Sequence, residues 1–329
     1  MLSIHNFDEF IFVVGAPRSG TTTLSQFLKE HPSVCFARIK EPHYFARNDL
    51  RGLGDRELRD KVEREYLPLF ADCGDGRKVA AEGSVTYLYR PELLEPVVRL
   101  WPNSRFIIAL RDPLKMLPSL HQRLIYIGDE DIDSFAEAWR ASGDRAKGRR
   151  IPRTCAEPDF LRYDEAGRFG TYVERLFKSV GRERCHVVIF DDLAEDPDGE
   201  YRRVLEFCGL EIVPRNDFRA HRSGSKVRLP WLQRLLKRPP KRIRDYVIGD
   251  NSPLRQRDMR RQHKGVRKAI LSTRERLLKW NRIAAPPDPL DPRIRREIHD
   301  HLKGEIERVG TLIGRELNNW LKVDEQPSR

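Results

Sequence analysis

Residues 15 to 23 read Gly15-Ala16-Pro17-Arg18-Ser19-Gly20-Thr21-Thr22-Thr23, two glycines bracketing one cation, with hydroxyls crowded around the second glycine. Glycine lets a backbone turn through φ > 0 and approach an anion closely, and N–H groups opening a helix offer that anion partial positive charge. The chemistry would be anion cradling. A nucleoside-triphosphate loop, G-x-x-x-x-G-K-[ST], places lysine directly after the second glycine. Here Thr21 holds that place, and the loop's cation, Arg18, comes three residues earlier. Taken alone, the stretch also suits a plain glycine turn joining strand to helix.

Two other clusters stand out. Lys40-Glu41-Pro42-His43-Tyr44-Phe45 sets a carboxylate and an imidazole among aromatics, and Arg111-Asp112-Pro113 is followed by Ser119 eight residues after the arginine. An arginine can grip a phosphate bidentately, and a hydroxyl can add a further donor. Glu41 also suits a surface carboxylate beside Lys40, His43 a hydrogen-bonded packing residue, and Arg111 a partner of Asp112.

The elements that must position these residues follow from periodicity. Phe10–Val14 is an apolar run suited to a strand buried on both faces. Thr21–Glu30 is a helix with Leu24, Phe27 and Leu28 on one face, and His31-Pro32 ends it. Further strands are expected at Val34–Ala37, Val79–Ala81, Arg105–Leu110 and Cys185–Phe190, with helices at Pro91–Leu100, Phe169–Val180, Gly199–Gly209 and Pro292–Leu321. Arg111-Asp112-Pro113 leaves the C-terminal end of its strand, where ligands of open α/β sheets collect. Pro118 is expected to disturb or delay the next helix. Residues 143–160 lack periodicity and read as a mobile flap, His221–Lys226 as a flexible basic loop, and Pro239-Pro240 as a break. Alternating strands and helices imply a parallel, doubly wound sheet. We expect one domain over 1–329, an α/β core of about 8–215 with a basic helical extension of about 216–329.

At 329 residues the chain can bury a large core. No run of 18 apolar residues exists, and Met1–Glu9 has neither a basic nor an apolar leader segment, so a cytoplasmic location is expected. Five cysteines, never in C-x-x-C, suggest reduced thiols, and no metal site is expected because the nine histidines lack ligand spacing. The net charge of +12 is concentrated: residues 219–282 hold 21 Lys+Arg against 4 Asp+Glu, a local +17. Such a segment suits a solvated face, an anionic lipid surface or an acidic glycan; sparse aromatics and the lack of a nucleic-acid motif speak against a specific nucleic-acid reader.

Taken together, the loop, the Arg111/Ser119 pair and the Lys40–Phe45 stretch resemble the sulfotransferase family, its bacterial and carbohydrate-type branch in particular. Weaker echoes lie at Glu82–Leu88, Phe190–Pro197 and Leu312–Leu317 with Trp320. The resemblance implies a P-loop-like three-layer α/β fold and transfer of a sulfuryl group from 3′-phosphoadenosine 5′-phosphosulfate (PAPS) to a hydroxyl or amine, with no metal required. It implies that Gly15–Thr23 with Arg18 hold the 5′-phosphosulfate, that Arg111 and Ser119 hold the 3′-phosphate, and that Lys226 assists them. Glu41 is then the first candidate for the general base and His43 the second. The acceptor implied is a carbohydrate or glycoconjugate, with a lipid or small natural product behind it. One departure is Gly83, since a lysine often follows the glutamate corresponding to Glu82. A P-loop kinase and a non-catalytic basic binding protein on the same fold are the alternatives.

Overall fold

Phe10 to Val14 are fully buried, so their backbone groups must be satisfied by strands on both sides. They lie in β1 (Glu9–Gly15), which pairs in parallel with β3 (Val79–Gly83) and with β4 (Arg105–Leu110). β2 (Val34–Phe36) joins β3, and β5 (Cys185–Ile189) joins β4, giving the parallel order β2-β3-β1-β4-β5. This is the expected α/β sheet flanked by helices. The computed structural model describes residues 2–73, 76–153, 155–215, 217–218, 224–239 and 266–322.

Side chains alternate across β1, as a strand requires. Ile11 and Val13 share a core with Leu24, Phe27 and Leu28 of helix Thr21–Glu30 and with Val204 and Leu205 of helix Pro197–Phe207. Phe10 and Phe12 belong to an aromatic cluster with Tyr66, Phe70, Trp101 and Phe106. Each such burial contributes ~1.5–3 kcal/mol against the unfolded chain.

The chain forms two compact units from interleaved segments: 1–112, 169–221 and 304–318 in the first, and 113–168, 222–303 and 319–329 in the second. The sheet β1–β5 lies in the first. In the second, helix Pro113–Ile127 packs against helix Pro230–Lys237, and β6 (Ser225–Val227) pairs antiparallel with β7 (Arg282–Ala284).

Several expectations need correction. Helix Pro113–Ile127 runs through Pro118, which is buried together with Leu117, Leu120 and Leu124; packing along that face outweighs one missing backbone donor. Residues 143–160 are not an aperiodic flap throughout, because they hold part of helix Ser142–Ala146 and a 3₁₀ turn at Pro158–Leu161. The first is anchored by Arg145, whose Nη2 donates to Glu130 Oε1 at 2.7 Å with both side chains at 0 % exposure. A pattern of apolar residues cannot reveal such an anchor. The last helix ends at Ile313, where Gly314 takes φ 68° and Arg315 N–H returns to Gly310 O, and Trp320 sits on a separate short helix, Asn318–Leu321. Cys35 and Cys73 are paired as a disulfide across 38 residues, with Cα atoms 5.6 Å apart, so not all thiols are free. Ser225 and Lys226 lie on a strand rather than in a loop. Within the basic segment, residues 219–223, with His221–Ser223 of the expected loop, and all of 240–265, with Pro240, lie outside the described residues.

Glu130 also accepts from Tyr163 OH (2.9 Å) and from Asp131 and Ile132 N–H (2.8 and 2.9 Å). Arg145→Met would leave this buried carboxylate without its counterion, and urea denaturation should show a loss of about 3–5 kcal/mol. A loss under about 1 kcal/mol would mean that the pair does not anchor the second unit.

Candidate functional site

The parallel sheet delivers the C-terminal ends of β1, β3 and β4 to one edge, with Val13 opposite Gly83 and Gly15 opposite Ile108. From β1 the chain enters the glycine loop, pinned by Ala16 N–H to Ala109 O at 2.6 Å. Gly20 caps helix Thr21–Glu30 at φ 93°, and a Cβ there would meet Leu193 Cδ2 at 2.9 Å. The first helical hydrogen bonds run from Thr23 and Leu24 N–H back to Gly20 O, so the N–H groups of Thr21 and Thr22 precede the ladder and are available to an anion. Ser19 is fully buried and donates to Pro17 O, a bond within the loop.

Lys40 enters the same place. Its Nζ donates to Thr22 Oγ1 at 2.8 Å and lies 3.3 Å from Glu41 Oε1. The reading of Arg18 as the loop's cation is therefore incomplete, since Lys40 reaches the loop from a different segment. Only its position beside Glu41 hinted at this. A Cβ at Gly83 would meet Ser25 Oγ at 2.6 Å, so a lysine there would require the Ser25 hydroxyl to turn away.

Four non-glycine residues among those described have left-handed backbone: Arg18 (φ 63°), Glu41 (57°), His43 (55°) and Arg150 (51°). Three of them are the residues singled out for catalysis from the sequence. Such conformations cost roughly 1–3 kcal/mol each and persist only where the surroundings over-determine them. At Glu41 the backbone N–H is held by Gly83 O (3.1 Å), and at His43 by Ser84 Oγ (3.0 Å), while His43 Nδ1 meets Thr86 Oγ1 at 2.8 Å.

Beneath this turn lies Glu82, whose importance the sequence understates. It is fully buried and accepts from Tyr87 OH (2.6 Å), Tyr66 OH (3.2 Å) and Ser84 Oγ (2.7 Å). Ser84 thus joins the buried carboxylate to the backbone of His43. Burial pushes the Glu82 carboxyl up to about 7, against the three hydroxyl donors, which pull it down. Tyr66 and Tyr87 are driven well above the usual phenol range, first by burial and then by Glu82. The sequence signal was present: an acid inside the otherwise apolar run Val79-Ala80-Ala81-Glu82.

Arg111 leaves β4 with its Nη1 donating to Arg18 O at 3.3 Å and its guanidinium 4.5 Å from the centre of the Phe190 ring. Burial lowers its pKa, while Asp191 and Asp112 raise it. Its Nε is buried with no hydrogen-bond partner among the described residues. A buried guanidinium with a spare donor suits an anionic ligand, so the first unit's residues fit a phosphate-bearing donor. Ser119 and Lys226 belong to the second unit. Ser119 is buried on helix Pro113–Ile127, whereas Lys226 pairs with Asp288 beside a cavity of ≈ 410 Å³ also lined by His121, Gln122 and Phe135. No cluster of metal-ligating side chains occurs among the described residues.

The sequence profile of the sulfotransferase family matches residues 10–214, from β1 past helix Pro197–Phe207. The chain belongs to the sulfotransferase family. A putative protein-tyrosine sulfotransferase of Caenorhabditis briggsae is 29% identical over 220 residues, covering 63% of this chain and 68% of the relative. Protein-tyrosine sulfotransferase 2 of Gallus gallus is 23% identical over 218 residues, 61% of this chain and 51% of its own length. Heparan sulfate glucosamine 3-O-sulfotransferase 3B1 of Mus musculus is 24% identical over 201 residues, 61% and 46%. The chain thus spans about half to two thirds of the length of these relatives. A sulfotransferase from Alicyclobacillus acidocaldarius shares the fold, with a TM-score of 0.62 at 20% identity over 95% of this chain and 98% of that one.

Glu82 makes the stability of this sulfotransferase pH-dependent in a defined direction. Its folded pKa, about 7, lies above the ordinary carboxyl value of 4.5, so its contribution is fully present below pH ~4.5 and is lost as pH rises through ~7. Glu82→Gln cannot ionise. In urea denaturation the wild type should lose about 3 kcal/mol relative to Glu82→Gln between pH 4.5 and pH 8. A constant difference across that range would refute the raised pKa.

Proposed function

We infer that this protein transfers a sulfuryl group from PAPS to an acceptor hydroxyl or amine, by in-line attack with Glu41 as the general base. The observation that carries the reading is the shared left-handed backbone of Arg18, Glu41 and His43. Strain maintained at three separated residues, all at one edge of the sheet, is the mark of a pre-organised site rather than of a binding relic.

The proposed roles follow from charge and reach. Arg18, Lys40, Thr21, Thr22 and the N–H groups opening the helix neutralise the sulfonate and its bridging oxygen, where charge develops during transfer. Lys40 bridges Thr22 and Glu41, so it keeps the carboxylate one ammonium group away from the sulfonate cradle. Glu41 takes the acceptor proton as the new S–O or S–N bond forms and the bond from sulfur to the bridging oxygen breaks; the proton stays on its carboxylate, and 3′-phosphoadenosine 5′-phosphate leaves with the electron pair. His43, held by Ser84 and Thr86, orients the acceptor. Arg111 grips the 3′-phosphate; Ser119 and Lys226 are assigned to the same phosphate on the sequence resemblance, and Lys226 would have to leave Asp288. The donor supplies the sulfuryl group, and the chain supplies position and charge.

A sugar hydroxyl is the acceptor we favour, because the Lys40–Phe45 stretch resembles the carbohydrate branch. The heparan sulfate sulfotransferases among the relatives support it. A peptide tyrosine is the second reading, favoured by the tyrosine sulfotransferases. Transfer of labelled sulfate to a panel of oligosaccharides and tyrosyl peptides separates the two.

Glu41→Gln keeps shape and polarity but removes the basic lone pair, and should lower kcat by about 10²- to 10⁴-fold with nucleotide affinity unchanged. His43→Asn should cost less; a larger loss would make His43 the base. Calorimetry on Arg111→Ala should show binding of 3′-phosphoadenosine 5′-phosphate weakened by ~1.5–3 kcal/mol, the scale of a hydrogen bond to a charged group. Adenosine 5′-phosphosulfate, lacking the 3′-phosphate, should bind as before, and equal losses for both ligands would sink the assignment.

A further inference from the structure

Helices Pro230–Lys237 and Val266–Asn281 depart from the usual amphipathic arrangement, in which apolar residues face inward. Among the described residues, the ones they bury fully are polar: Gln233 and Asn281, both at 0 % exposure. Asn281 Nδ2 donates to Gln233 Oε1 (3.1 Å) and to Leu229 O (3.1 Å), its Oδ1 accepts from Leu229 N–H (2.8 Å), and Gln233 Nε2 donates to Tyr126 O (2.7 Å). Leu232, Leu236, Ile270, Leu271 and Leu278 are half-buried, but Trp231 at 65%, Trp280 at 55%, Leu235 at 47%, and Leu277 and Ile283 at 37% exposure stand outside. Six large hydrophobic residues are exposed among the described residues, and five of them are in this one corner. Chance scatter would spread them.

The two helices lie antiparallel. Asn281 meets Leu229 and Gln233 at one end, and Arg274 Nε donates to Leu236 O at 2.8 Å toward the other. Trp231 and Leu235 share a face at i, i+4, as Leu277 and Trp280 do at i, i+3. Exposed apolar side chains thus stand on both of the paired helices and on β7, which follows the second directly and carries Ile283. Arg228, Arg276, Lys279 and Arg282 are exposed among them, with the Arg228 guanidinium 5.7 Å from the Trp280 ring centre. They belong to the stretch of 21 cations and 4 acids.

We propose that this corner docks the enzyme on an anionic phospholipid surface, with Trp231 and Trp280 entering the boundary between headgroups and acyl chains and the cations meeting lipid phosphates. Exposed indoles and aliphatics ringed by arginine and lysine are the chemistry of an interfacial helix. A nucleic acid or sulfated glycan would use the charge but leave Leu235, Leu277 and Ile283 in water. No helix of the described residues is long and apolar enough to cross the bilayer, so the contact lies on the surface.

The test uses the full chain with vesicles of mixed phosphatidylglycerol and phosphatidylcholine, and with phosphatidylcholine alone. The protein should sediment with the mixed vesicles only, and Trp231→Ser/Trp280→Ser should bind at least about tenfold more weakly. Both indoles are exposed, so the double variant should keep the wild-type circular dichroism. The wild type supplies an independent reading should the variant misfold: phosphatidylglycerol brominated along its acyl chains should quench part of the tryptophan emission. Heparin and duplex DNA should bind both proteins equally. Wild-type vesicle binding by the double variant, or sedimentation without bromine quenching, would overturn the proposal. So would a matching loss of heparin or DNA binding in the variant, which would mark a polyanion site.

Discussion

The candidate site depends on β1 being hydrogen-bonded in parallel on both sides. Parallel pairing brings the carboxyl ends of neighbouring strands to the same edge, and β1, β3 and β4 each hand over a different chemical element there: the anion loop, the Glu82–Ser84 support and Arg111. The strand must therefore be apolar on both faces, and Phe10 to Val14 are. A polar residue within that run would face one of two packed layers without a partner. The loop that follows is pinned to β4 through Ala16, so the cradle inherits the rigidity of the sheet.

Buried charge supports exposed chemistry in both units. In the first, Glu82 gathers two phenols and a serine, and that serine holds the left-handed turn at His43. In the second, Glu130 gathers Arg145, Tyr163 and two backbone donors. A buried carboxylate is tolerated only when its lone pairs are filled, and filling them immobilises every donor that takes part. Glu82 holds the backbone that carries Glu41 and His43, and Glu130 with Arg145 holds a stretch whose sequence shows no period at all. The corner of Gln233 and Asn281 is different, because there buried amides hold two helices together and leave both indoles, Leu235 and Leu277 to solvent.

Much of the first unit follows from the sequence. Helix Thr21–Glu30, strand Arg105–Leu110 and helix Phe169–Val180 have the expected bounds, because hydrophobic period, glycine and proline are local signals and these elements bury a face of their own. The glycine loop and the displaced cation Arg18 were legible for the same reason, since an anion cradle is written in consecutive residues. Family membership followed from three such local stretches. Tertiary structure alone decided what reaches across the chain. Lys40 comes to Thr22 because β2 exits beside the start of that helix, Cys35 meets Cys73 across 38 residues, and Pro118 stays inside a helix because its buried face outweighs one lost hydrogen bond. The left-handed backbone at Glu41 and His43 is likewise invisible in residue type, since neither is a glycine. It is imposed by Gly83 O and Ser84 Oγ, and only the folded sheet brings those two oxygens into place.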